Sequence, residues 1–124
     1  MADKVYGICG TNKCKREVIE KVIVTGSTTE SEYSMGAGTY SMVVTLPYPD
    51  EYTVDNCTAL ATRVRLKLST GVYHYYGVPY TVSDGSLYVK VQNTYTDNGI
   101  KVILTTTAPS YVEMTAIALL ARHS

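Results

Sequence analysis

Between Thr62 and Thr106 the chain alternates apolar and polar residues almost without a break. Alternation with period two marks strands with one buried face. Three turn signals cut the stretch into four runs. Ser69-Thr70-Gly71 suits a three-residue hairpin loop with Gly71 left-handed, because a two-residue loop would force the β-branched Thr70 to positive φ. That loop sets Leu68 opposite Val72, Leu66 opposite His74 and Val64 opposite Tyr76. Asp84-Gly85 suits a two-residue turn, which sets Val82 opposite Leu87, Tyr80 opposite Val89 and Val78 opposite Val91. Asn98-Gly99 is the strongest short hairpin signal, and it sets Tyr95 opposite Val102 and Asn93 opposite Leu104.

The three registers, assigned separately, agree on one apolar face. It carries Val64, Leu66, Leu68, Val72, Val78, Tyr80, Val82, Leu87, Val89, Val91, Val102 and Leu104. The opposite face carries Arg63, Arg65, Lys67, Lys90, Gln92 and Lys101, with Tyr73, Tyr75, Tyr88 and Ile103. A one-residue slip at any turn would send one strand's apolar set to the wrong side. The agreement predicts a four-stranded antiparallel meander. Pro79 cannot donate to a ladder, so a bulge or unpaired stretch is expected near Gly77-Val78-Pro79.

The rest of the chain supplies further strands. Residues 18–25 read as a first strand; a helix over Arg16 to Val24 is the alternative, and the β-branched residues count against it. Residues 26–38 read as a polar, Gly-rich loop, long enough to be a functional loop or a contact arm. Residues 39–48 alternate, with Tyr40, Met42, Val44, Leu46 and Tyr48 on one face. Residues 52–58 read as loop or a short extended piece. Residues 111–121 form a last strand, with Val112, Met114, Ala116, Ala118 and Leu120 facing inward. Its end, AIALLA, is apolar on both faces, which fits cover by a second sheet or another subunit. About seven strands at regular spacing predict an all-β, antiparallel β-sandwich with the meander in its C-terminal half. Jelly-roll and immunoglobulin-like topologies both fit. Residues 1–17 stand apart as a docking segment, and 18–124 form the sandwich domain.

Composition narrows the function. With 124 residues one domain is expected, burying about two-thirds of the surface its unfolded chain exposes. Lys+Arg and Asp+Glu each number 11, and this balance argues against a nucleic-acid binder. No run of apolar residues is long enough for a membrane span. The start, MADKVYGIC, lacks the apolar core of a signal peptide, so synthesis and folding in a cytoplasm are expected. All 12 aromatic residues are tyrosines. Tyrosine is at home on half-exposed sheets and at interfaces. Drift in a β-rich chain accounts for the usage equally well.

Catalytic and metal chemistry find little support. Cys9, Cys14 and Cys57 are odd in number, and a zinc site would need all three to converge with His74. Reduced, metal-free thiols are the expectation. His74 reads as a half-buried histidine near a strand bend, and His123 as solvated. No Ser-His-Asp set or G-x-S-x-G is present, and Asp50, Asp84 and Asp97 are accounted for by turns. The expectation is a non-enzyme without cofactor. On the outer face, Lys67 pairs with Tyr73 and Arg65 with Tyr75, as cation–aromatic neighbours. These four residues read first as sheet stabilisation, and second as a platform for a surface glycan or a protein partner. The apolar residues without a place in the pattern, Val5, Tyr6 and Ile8, are assigned to assembly, together with Ile117, Leu119 and Leu120 at the end of the last strand.

The leader VYGICGTNKCKREV, with its run Asn12-Lys13-Cys14-Lys15-Arg16-Glu17-Val18, resembles that of small structural proteins from phages and prophages of gut Firmicutes. The remainder is similar in general pattern to β-sandwich domains of tail fibres, head fibres and capsid decoration proteins. The resemblance implies a virion component, assembled in the bacterial host cytoplasm, that associates with itself and with other virion proteins through its N-terminal segment. The alternative is a carbohydrate- or receptor-binding sandwich of the adhesin kind.

Overall fold

A computed structural model describes residues 18–34, 38–107 and 111–124 of the chain. The expected docking segment, with Val5, Tyr6 and Ile8 and the thiols of Cys9 and Cys14, lies outside the described residues. The described residues form nine strands and no helix: β1 (Val18–Thr28), β2 (Glu32–Ser34), β3 (Thr39–Pro47), β4 (Cys57–Leu68), β5 (Tyr73–Val78), β6 (Tyr80–Asp84), β7 (Leu87–Thr96), β8 (Gly99–Thr106) and β9 (Tyr111–His123). They build an antiparallel β-sandwich. One sheet has the order β1-β9-β4-β5 and the other β2-β3-β8-β7-β6. The outer pairs nest as in a jelly roll, the first strand beside the last and β3 beside β8, whereas β4–β5 and β6–β7 are local hairpins. The immunoglobulin order, with the first strand beside the second, is not adopted.

The four alternating runs are all strands, but they do not share one sheet. The second run divides at Pro79: β5 pairs with β4 in one sheet, and β6 pairs with β7 in the other. Proline has no N–H to give a ladder and is confined to edges and strand ends. The division satisfies this by making β5 and β6 the edge strands of opposite sheets. The expected interruption at Gly77-Val78-Pro79 is therefore the point where the chain changes sheet.

One of the three registers is as the turn residues predict. Val64 faces Tyr76 and Leu66 faces His74 as expected, and Gly71 is left-handed at φ 91°. At the other two turns the pairing is shifted by two residues. Val82 faces Val89 and Tyr80 faces Val91, so the turn residues are Gly85-Ser86, with Gly85 at φ 60°. Tyr95 faces Ile100 and Asn93 faces Val102, so the turn residues are Asp97-Asn98. A two-residue shift keeps every side chain on its face, so the apolar face survives the correction. Val64, Leu66, Val89, Val91, Val102 and Leu104 are all buried. Val72 and Leu87 are exposed, because they sit beside the turns at the strand ends.

Met42, Val44 and Leu46 of β3 join the core from the sheet of β7 and β8, and Met114, Ala116, Ala118 and Leu120 of β9 join it from the sheet of β4. Val112 points outward instead of inward. A register irregularity, with Lys67 facing Glu113 but Leu68 facing Tyr111, puts Tyr111 in the inward place. The first strand continues through Thr28, and Glu32–Ser34 pairs with β3, so much of the expected 26–38 loop is strand. His123 is buried rather than solvated, because β9 runs on to it alongside β4. Its backbone N–H donates to the Asn56 carbonyl at 2.9 Å, and its Nε2 lies 3.3 Å from Thr58 Oγ1.

Candidate functional site: the outer face of the four-stranded sheet

The strand order β1-β9-β4-β5 lays the outward side chains of four strands in rows. Ile23, Leu119 and Ala61 stand side by side. The next row holds Thr25, Ile117, Arg63 and Gly77, and the next Ser27, Thr115, Arg65 and Tyr75. Glu113, Lys67 and Tyr73 follow. The face thus grades from apolar to cationic and aromatic.

The apolar end is open. Ile23 is 61% exposed, and Ile117 and Leu119 are half-buried on the same face. A shallow depression of about 340 Å³ lies between these three, Ala61, Arg63 and Gly77. It exists because Ala61 and Gly77 contribute almost no side chain beside bulkier neighbours. Fully burying one Ile or Leu side chain is worth about 1.5–3 kcal/mol, so a partner covering this row would gain several kcal/mol. The expected assembly residues divide here. Ile117 and Leu119 belong to the face, but Leu120 is wholly buried in the core, since alternation along β9 sends it to the other side. Ile23 was not anticipated. Its signal is the one that marked AIALLA: β1 carries apolar residues at both parities, Val22 and Val24 inward and Ile19 and Ile23 outward.

At the polar end, Lys67 faces Tyr73 and Arg65 faces Tyr75, as the hairpin register predicts. The Arg65 guanidinium, however, stacks diagonally on Tyr73, its carbon 4.6 Å from the ring centroid. It also lies 3.9 Å from the Glu113 carboxylate. At this exposure each contact is worth no more than about 1 kcal/mol. The Tyr73 and Tyr75 rings are 6.5 Å apart and tilted, and Tyr75 is 60% exposed. The arrangement links β4, β5 and β9 and leaves the Tyr75 ring open to solvent.

The remaining candidate residues lie elsewhere. His74 is inside the sandwich, its Nδ1 3.0 Å from the Tyr111 hydroxyl and its ring edge-on to Tyr76 and Tyr111. Cys57 is buried at the start of β4, where burial pushes its thiol up from the ordinary value. His74 faces Leu66, nine residues further along β4 than Cys57, which is about 30 Å of strand. These two do not converge on one metal. Among the described residues no group of three His, Cys, Asp or Glu side chains is placed to hold a metal ion, and no helix is long and apolar enough to cross a membrane.

Compared with protein-family models, curated proteins and solved structures, the chain matches none.

Proposed function

We propose that the protein is a non-enzymatic structural component of a phage particle, a fibre, appendage or capsid decoration subunit, that self-associates and docks through its N-terminal segment. The observation that carries the associating role is the open row of Ile23, Leu119 and Ala61, continued by Ile117, on the outer face of a sheet whose inner face is already used by the core. A rigid sandwich with an unpaired apolar outer row is suited to being one unit among many. The virion setting draws its support from the resemblance of the leader. The test is to purify particles from the producing host and identify their proteins by mass spectrometry, with the chain lacking residues 2–15 expressed in parallel. The full chain should be found in the particles, and the shortened chain should fold but be excluded. Absence of the full chain from particles would overturn the virion reading.

A second reading is favoured by Tyr73 and Tyr75 beside Arg65. Exposed aromatic rings can stack on sugars, so the same face would serve a glycan receptor. Under this reading Tyr75→Ala abolishes binding on a glycan array without changing the melting temperature.

A further inference from the structure

Strands at the edge of a sheet present unpaired N–H and C=O groups, and folded proteins shield them by shortness, proline, bulges or charge. Among the described residues the sandwich has four edges, β1 and β5 in one sheet and β2 and β6 in the other. Three are shielded. β2 has 3 residues; β6 has 5, follows Pro79 and ends in Asp84; β5 has 6, includes Gly77 and stops at Pro79. β1 is the exception. It has 11 residues, no proline, one acid and one base, and it exposes Val18, Ile19 and Ile23. Its irregularity lies between Val18 and Glu20, which leaves Glu20–Thr28 in unbroken register with β9. Among the described residues nothing pairs with its free edge.

We infer that β1 is a self-pairing edge: two copies of the chain join β1 to β1, antiparallel about a two-fold axis, into one continuous sheet. This rests on the self-association reading above and names its interface. Three observations select a second copy as the occupant. Ile23 is the middle residue of Val18–Thr28, so pairing over the full strand brings Ile23 beside Ile23 of the second copy. The apolar row Ala61–Leu119–Ile23 then runs on into the same row of that copy. In this register Lys21 lies opposite Thr25 and Ile19 opposite Ser27, so no like charges meet. The cations that β4 places on this face are Arg63, Arg65 and Lys67. Edge pairing keeps those cations on β4, about 10 Å further from the junction than β1. Such an interface is isologous and closes on itself as a dimer.

The test uses the full chain carrying Cys9→Ser and Cys14→Ser, to which Ile23→Cys or Ile19→Cys is added. Directly opposed residues of an antiparallel pair have Cα atoms about 4.5–5.5 Å apart, within the range of a disulfide. Mild oxidation should therefore convert the Ile23→Cys chain to a covalent dimer. The Ile19→Cys chain should not link, since its two copies would lie about 26 Å apart. Ile23→Lys, at an exposed position, should return the protein to single-chain mass while it stays folded, with its melting temperature no lower than that of the diluted, dissociated parent. If the protein with native residue 23 is a single chain at every concentration, both the self-association reading and this inference fall. If it is an oligomer but Ile23→Lys keeps that mass and Ile23→Cys does not link, self-association stands and the β1 edge is refuted. A dimer that appears only after removal of residues 2–15 would also overturn the inference, because the leader would then cover the edge.

Discussion

Asn93 on β7 reaches across the sandwich to Thr62 on β4, its side-chain amide donating to Thr62 Oγ1 at 2.9 Å. This bond ties the two sheets together at a point where Thr62 is buried. Removing one partner strands the other, whereas removing both does not. Thr62→Val should cost about 1–3 kcal/mol. The double variant Thr62→Val with Asn93→Val should recover most of that loss. Urea midpoints of the three proteins measure it, and equal losses in the single and double variants would contradict the link.

The register makes a sharper prediction at two adjacent residues. Val91 is wholly buried, and Lys90 points to the outside of the same strand. Val91→Asp buries an unpaired charge and should cost more than about 4 kcal/mol, enough to unfold the domain. Lys90→Asp should stay within about 0.5 kcal/mol of the parent. Similar melting temperatures for the two would refute the assigned core face.

That face was legible because strand alternation is local. Val64 to Leu104 could be sorted from spacing and turn residues alone, and an error of two residues at Gly85 and at Asn98 changed no side chain's face. What spacing could not convey is which sheet a strand joins. The passage of the chain between sheets at Pro79 is a tertiary choice, for which the sequence offers only the missing N–H. The burial of His123 and the outward turn of Val112 depend on how β9 is seated against β4, including a local register irregularity, and no local pattern encodes that. Of the candidate site, Arg65, Lys67, Tyr73 and Tyr75 were recoverable from one hairpin register. Ile23 became part of the face only through the pairing of β1 with β9, a contact nearly a hundred residues apart in sequence.

Two glycines should respond in opposite ways. Gly99 opens β8 at φ 153°, and a Cβ there would collide with the backbone carbonyl of Leu46. Gly99→Ala should therefore destabilise by about 1–3 kcal/mol. Gly77 has open space where a Cβ would go and no positive φ. Gly77→Ala should leave stability unchanged or raise it by about 0.5–1 kcal/mol, while making the depression beside Arg63 shallower. Thermal melts of the pair decide between these outcomes.

Alkaline pH should weaken the fold. Desolvation by burial raises the Tyr111 hydroxyl well above its ordinary 10.0, with the neighbouring Tyr76 adding to it. Burial likewise raises the Cys57 thiol above its ordinary 9.0. The folded state therefore holds these protons more tightly than the unfolded chain does. Stability is complete below the unfolded values and declines as pH rises past about 9, first through Cys57 and then through Tyr111. The melting temperature should fall between pH 9 and 11, and less steeply in Tyr111→Phe. A midpoint constant up to pH 11, or an identical slope in the variant, would contradict this.

Association is the centre of the account, and solution mass reports it directly. Light scattering on the purified 124-residue chain, over a wide range of concentration, should give a multiple of its 13.6 kDa that dissociates on dilution. A mass of 13.6 kDa at every concentration would contradict the account.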